Sequence, residues 1–222
     1  MNMSKIRTEN IILAVPKGRI LEVLVPLMKK ANIIPEKAFF DTSDRRLLFS
    51  SNLSWLKIIR VRSFDVATFV AFGGADIGVV GLDVLKEFNY PELYAPVDLN
   101  IGKCRLSIAE PKNYIENENV QLKVATKYTN ISSKYYAEKG ININCIKMNG
   151  AMEIAPTLDM ADKIVDLVSS GMTMKANNLV EIEKILEITS HLVINRTSFK
   201  TRSENVRHII GLFQEVLSGK NS

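Results

Sequence analysis

Residues 162–179 read DKIVDLVSSGMTMKANNL. An apolar run carrying two spaced acids breaks at Ser-Ser-Gly-x-Thr and resumes as a helix-like segment. Ile164, Val165, Leu167 and Val168 are placed to anchor a buried strand, which sets Asp166 at its C-terminal end, where open α/β sheets bind ligands. Gly171 permits a turn with φ > 0 that aims successive backbone N–H groups at an anion, and Ser169, Ser170 and Thr173 add hydroxyl donors. A helix beginning near Thr173 would point its positive end the same way. The order describes one unit of an α/β fold with a phosphate site at its turn. Hydroxyl-rich turns also serve as ordinary strand-to-helix connections, so the flanking sequence has to decide between the two.

Outward from this stretch, strand-like and helix-like patterns alternate. Residues 11–15 read as a buried strand, and 18–30 as a helix with Leu21, Leu24, Val25 and Met28 on one face and a kink expected at Pro26. A strand at 57–61 precedes a helix running to about residue 72, which Asp65 is placed to cap. A strand at 76–80 follows, bounded by Gly73, Gly74 and Gly81. Pro91 and Pro96 bracket a turn-rich region, after which a second series opens with strands at 104–109 and 122–126, a helix at 130–139 and a strand at 143–147. The chain closes with a strand at 191–195 and an amphipathic helix at 203–217, whose apolar face is Val206, Ile209, Ile210, Phe213 and Val216. Repeated βα units predict an α/β fold with mostly parallel sheets. Two such series predict two lobes with a ligand cleft between them, 1–99 with 189–222 forming lobe I and 100–188 forming lobe II.

The 222-residue chain is 46% apolar and 24% charged, an ordinary globular composition that can bury a core without staples. Its net charge of +5 is modest, and Lys and Arg are scattered instead of clustered, which favours anionic small molecules over nucleic acid. Cys104 and Cys145 lack metal-ligand spacing and read as small buried apolar residues in a reducing compartment. The first ten residues are polar, the apolar run at 11–15 is too short for a signal-peptide core, and no stretch approaches a membrane span. A cytoplasmic protein without membrane contact is expected.

A resemblance extends far beyond the opening turn. In order, VPKGRILE (15–22), DRRLLF (44–49), RVRSFDVATFV (60–70), GGADIGVVGLDVL (73–85), KCRLSIA (103–109), KVATKY (123–128), IKMNGAMEIAP (146–156), the stretch at 162–179 and LVINRTSFK (192–200) resemble the catalytic subunit of the ATP phosphoribosyltransferase family. The chain ends soon after the last block and so resembles the family's short form, which is similar in fold to two-lobed periplasmic binding proteins. The resemblance implies a homodimer within a hetero-oligomer that includes a regulatory subunit similar to histidyl-tRNA synthetase.

The family reaction joins N1 of the adenine of ATP to C1 of phosphoribosyl pyrophosphate and releases pyrophosphate, opening histidine biosynthesis. By resemblance, Ser169, Ser170, Gly171, Met172 and Thr173 take the 5-phosphate, and Glu153 and Asp166 accept hydrogen bonds from the ribose hydroxyls. The alternative for each acid is a helix cap or a surface salt bridge. Lys17, Gly18 and Arg19 follow the first strand, at an edge that suits triphosphate or pyrophosphate oxygens. Arg45 matches a basic position of the family, and guanidinium groups bind phosphate oxygens in pairs. Arg19 and Arg45 are expected to neutralise the leaving pyrophosphate, with Arg62 as a weaker contact on the ATP side. Taken without the family match, scattered arginines like these are usually solvated surface residues. No nucleophilic side chain is required, since adenine attacks directly. His191 and His208 read as structural or surface groups, and Mg²⁺ is expected to arrive on the substrate phosphates.

The chain departs from the family pattern at Asp159 and Asn178, where glycine is usual, at Ser170 for threonine, at Met174 for leucine and at Thr129 for proline. Ser170 keeps the hydroxyl and Asn tolerates left-handed backbone, whereas Asp159 adds a charge near a phosphate site. Two rival readings remain open at this level: a two-lobed binding protein without catalysis, and a phosphoribosyltransferase acting on another base.

Overall fold

The computed structural model describes residues 10–115 and 120–219; the polar N-terminal stretch up to residue 9 lies outside them. The elements begin with β1 (Ile11–Pro16), α1 (Arg19–Lys30), β2 (Leu48–Ser50), β3 (Leu56–Val61), α2 (Ser63–Ala71), β4 (Ile77–Gly81), α3 (Leu82–Phe88) and β5 (Leu93–Asp98). There follow β6 (Cys104–Pro111), β7 (Leu122–Thr126), α4 (Thr129–Glu138), β8 (Ile143–Lys147), β9 (Lys163–Val168) and α5 (Met172–Ala176). The last are β10 (Leu179–Ile188), β11 (Ser190–Asn195), α6 (Arg196–Thr201) and α7 (Ser203–Leu217). They form two compact units: one takes in the chain up to Leu85, Asn89–Gly102 and the chain from Thr189 on, the other Lys86–Phe88 and Lys103–Ile188.

The first unit is built on a six-stranded sheet in the order β2-β3-β1-β4-β11-β5. The βα units place β1 parallel to both β3 and β4, while β2, β11 and β5 pair antiparallel with their neighbours. Helix α1 runs through Pro26 and buries Leu24 and Met28, with Leu21 and Val25 packed beside them. Helix α7 buries Val206, Ile209 and Phe213 in the same core, so the C-terminal helix belongs to this unit. Glycine at position 78 lets α2 pack closely on the sheet, because a Cβ there would stand 2.7 Å from both Val66 Cγ1 and Val70 Cγ2. At the N-terminal ends of β1 and β4, buried Asp76 accepts hydrogen bonds from Ile12 N–H (2.9 Å), Ser198 Oγ (2.7 Å) and Arg202 Nη1 (3.0 Å), tying α6 and the start of α7 to the sheet.

The second unit has a five-stranded sheet in the order β10-β6-β9-β7-β8. Here β7 runs parallel to β8 and β9, and β6 runs antiparallel to β9 and β10. One face carries Ala109, Ile164 and Val168, packed against Met152, Ala155, Met174 and Leu179. Glu87 supplies the first turn of α4 with an acceptor: its carboxylate takes the N–H groups of Asn130 (3.0 Å) and Ile131 (3.0 Å), which no intrahelical carbonyl can reach.

Both sheets are therefore mixed, and the expectation of mostly parallel sheets is corrected. Strand β11 starts where β4 ends, with Ser190 opposite Gly81, and β6 starts where β9 ends, with Arg105 opposite Val168. A strand that enters a sheet at the edge where its neighbour finishes has to run back along it. The turn-rich region opened by Pro91 passes into the strand β5, which contains Pro96, and Pro96 is tolerated because β5 is an edge. Asp65 does not cap its helix: Arg62 occupies the N-cap position and Asp65 lies within the first turn. Leu167 is 39% exposed instead of buried, and Cys104 and Cys145 form no disulfide and are only half-buried.

Candidate active site

In the first unit the parallel strands β1, β3 and β4 all finish at one edge, and the basic residues gather there. Pro16 pairs with Val61, and the N–H of the next residue, Lys17, donates to Val61 O at 2.8 Å. Register thus sets Lys17, Gly18 and Arg19 beside Arg62. Strand β2 runs against β3, with Arg60 N–H donating to Leu47 O (3.1 Å), so the residues before β2, Arg45 among them, extend past the same edge. Lys17, Arg19, Arg45 and Arg62 are all exposed.

Gly18 is needed for its backbone. At φ 83 and ψ −150 it occupies a region open essentially to glycine alone, and it turns the chain from β1 directly into α1. No side chain caps α1, which leaves the first N–H groups of that helix directed out of the edge. The two arginines before β2 differ. Arg46 is bound by Asp44 (2.7 Å) and approaches Glu36 (3.5 Å), and this guanidinium holds the Asp44 carboxyl below the usual carboxylate range. Arg45 has no hydrogen bond or ion pair among the described residues.

In the second unit β7, β8 and β9 also end at a common edge. The loop after β8 carries the 3₁₀ turn Met152–Ile154 with half-buried Glu153, and the turn 169–173 follows β9. Both are anchored in one core, since Met152 and Ala155 from the first and Met174 from the second pack with Ile164 and Val168. Gly171 has φ 74 and ψ 5 and caps α5, the left-handed geometry expected from the sequence, and α5 starts at Met172, one residue before the expected position. Ser169, Ser170, Met172 and Thr173 are exposed around it. Asp166 stands opposite Ser107 on β6, and its Oδ1 accepts the N–H of Leu167 at 2.8 Å.

One pair at this edge was not singled out from the sequence. Arg105 forks onto Glu181, Nε to Oε1 and Nη2 to Oε2, both at 2.5 Å, and its Nη1 lies 3.4 Å from the carbonyl oxygen of Ser169. Ser107 Oγ donates to the same Glu181 carboxylate at 2.8 Å. The Arg105 fork, with Ser107 adding to it, keeps the Glu181 carboxyl below its ordinary value. The signal available in sequence was the shared strand parity of Arg105 and Ser107.

The histidines serve as structural contacts: His191 Nε2 lies 3.3 Å from Thr189 Oγ1, and His208 packs edge-on against Trp55 with ring centroids 5.8 Å apart. Among the described residues no group of three or more His, Cys, Asp or Glu side chains is arranged to hold a metal ion, and no helix is long and apolar enough to cross a membrane.

Each edge is thus suited to phosphate oxygens, one through cations and the other through a glycine turn, hydroxyls and nearby acids. Comparison with known proteins gives this chemistry a family. The chain is 53% identical over 211 residues to ATP phosphoribosyltransferase of Rhodospirillum rubrum, covering 93% of each protein. Among solved structures it superposes on the ATP phosphoribosyl transferase (HisG:HisZ) complex from Thermotoga maritima with a TM-score of 0.81 and 33% identity, covering 94% of this chain and 99% of that one. A histidine kinase sensor domain similar to periplasmic binding proteins shares the fold alone, at TM-score 0.59 and 11% identity, over 96% of this chain and 92% of its own. The family described as HisG, ATP phosphoribosyltransferase, matches residues 62–215. The chain belongs to the ATP phosphoribosyltransferase family, whose reaction is the first step of histidine biosynthesis.

Proposed function

We propose that the edge of the second unit takes the phosphoribosyl end of phosphoribosyl pyrophosphate and the edge of the first unit takes polyphosphate oxygens. The observation that carries this reading is the turn at 169–173, where left-handed Gly171 opens α5 directly after a strand whose end bears Asp166. N–H groups of 170–173 and the hydroxyls of Ser169, Ser170 and Thr173 bind the 5-phosphate. Glu153 and Asp166 accept the ribose hydroxyls and face the positive charge that develops on the ring.

N1 of adenine bonds to C1 as the bond from C1 to the pyrophosphate oxygen breaks, and its electron pair leaves with pyrophosphate. Arg19 and Arg45 neutralise that charge as it forms, which lowers the barrier more than it tightens the ground state. Lys17, Gly18 and Arg62 hold polyphosphate oxygens on the ATP side. Mg²⁺ supplies further charge neutralisation from the phosphates themselves, a role that needs only substrate oxygens and water as ligands. The reading also includes a cytoplasmic location and a homodimer assembled with a regulatory subunit. The partner named in the Thermotoga maritima complex supports the latter.

The test is to mix the chain with ATP, phosphoribosyl pyrophosphate, Mg²⁺ and pyrophosphatase, with and without the regulatory subunit, and follow the ultraviolet absorbance of N1-ribosylated adenine. Absorbance should rise only when both substrates are present. Binding of both without product in either condition would leave a binding module in place of an enzyme.

A further inference from the structure

We infer that Arg105 and Glu181 act as a clamp that positions the phosphate turn, fixing the peptide between Ser169 and Ser170 so that the Ser170 N–H faces the anion. The inference rests on the reading of 169–173 as the 5-phosphate site.

Arg105 is held at two nitrogens by Glu181, and Glu181 is held in turn by Ser107 Oγ at 2.8 Å. With the planar guanidinium fixed in this way, its remaining nitrogen is directed at the carbonyl of Ser169, at 3.4 Å. In a trans peptide the carbonyl and the following N–H point in opposite directions. A Ser169 carbonyl turned toward the Arg105 guanidinium therefore turns the Ser170 N–H away from it. The register shift between Glu181 and Glu183 marks an irregularity in β10, a device that re-aims side chains at sheet edges, and Glu181 lies at that point.

The charges argue for positioning over direct binding. Glu181 neutralises Arg105, so the pair offers a phosphate no net positive charge. Its exposure, 33% for the Arg105 side chain and 27% for that of Glu181, also keeps its contribution to stability small. Loss of the clamp should be read in ligand affinity more than in folding.

The test uses the full chain with Arg105→Met, Arg105→Lys and Glu181→Gln, measuring equilibrium binding of phosphoribosyl pyrophosphate and of ATP by calorimetry, together with the urea midpoint. Arg105→Met should weaken phosphoribosyl pyrophosphate about tenfold, the scale of one hydrogen bond to a charged group, while ATP affinity stays within about twofold. Arg105→Lys keeps a donor but cannot fork and reach Ser169 together, so it should fall between Met and wild type. Glu181→Gln, which conserves shape, should weaken phosphoribosyl pyrophosphate with only a small change in urea midpoint. Thr173→Val serves as the control on the turn. If it weakens phosphoribosyl pyrophosphate and the Arg105 and Glu181 variants do not, the clamp is wrong and the phosphate site stands. If none of the variants weakens it, both fall.

Discussion

Arg46 grips Asp44 through contacts of 2.7 Å from Nη2 and 3.0 Å from Nε, while Arg45 beside it holds no partner among the described residues. Adjacent residues of identical chemistry are thus divided between a structural pair and a cation available to a ligand. Arg45→Ala should lower kcat about a hundredfold, the scale of one lost donor to developing charge, and leave ATP affinity within about threefold. Arg46→Ala, which removes an exposed pair, should change kcat by less than about twofold. Steady-state kinetics with direct ATP titration decides this. An Arg45→Ala enzyme with full kcat and only a raised KM has lost ground-state binding, and Arg45 then has no part in leaving-group stabilisation.

Gly78 sits where a Cβ would press on Val66 and Val70 at 2.7 Å each, both of them fully buried. Gly78→Ala should therefore destabilise the protein by about 1–3 kcal/mol, as overpacking of a dense core does. Adding Val70→Ala to Gly78→Ala should recover part of that loss, because the second change makes room for the first. Urea unfolding of the two single variants and the double variant measures the coupling. Additive losses would mean that the helix face does not set the glycine at position 78.

The reach of sequence reading follows the same division between local pattern and distant pairing. Strands β7 and β8 and helix α7 fall where periodicity sets them, since each has an uninterrupted pattern of its own. Helix α3 follows β4 without a loop and is only seven residues long, too short for a helical period to stand out, so the sequence pattern marks no element there. The alternation of β10 is broken by two register shifts, and β2 has only three residues. In the site, the left-handed turn at Gly171 was legible because one residue type demands it. Arg105 and Glu181 are 76 positions apart and meet through strand pairing, which spacing along the chain does not reveal.

Glu181 also sets a pH dependence. Its carboxyl is held below the ordinary 4.5 of a glutamate, first by the Arg105 hydrogen bonds. A carboxyl with a lowered folded pKa contributes stability that is fully present above its unfolded pKa and is lost as pH falls through the folded value. The difference in urea midpoint between wild type and Glu181→Gln should therefore be small but constant above about pH 5.5 and shrink below the unfolded value. Affinity for phosphoribosyl pyrophosphate should follow the same course in wild type and be flatter in the variant. A difference that grows as pH falls has the wrong sign for this pairing.

Asp159 is explained by its backbone. It has φ 54 and is exposed, its N–H donates to Pro156 O at 3.2 Å, and the next N–H, of Met160, donates to Ala155 O at 3.0 Å. These two bonds close a helical turn in the manner that usually calls for glycine at the left-handed position. Asn178, at φ 56, occupies a second such position, so both departures from family glycines fall where the backbone is left-handed and a short polar side chain is the tolerated substitute. Asp159→Gly should raise stability by about 0.5–1 kcal/mol, by relief of the left-handed strain less the added freedom of the unfolded chain. Asp159→Asn separates charge from backbone, because it keeps the left-handed tolerance and removes the carboxylate. Its affinity for phosphoribosyl pyrophosphate should match wild type at low and high salt. If Asp159→Asn binds more tightly at low salt and the gain disappears at high salt, the carboxylate repels the ligand's phosphates and its position carries a functional cost as well as a conformational one.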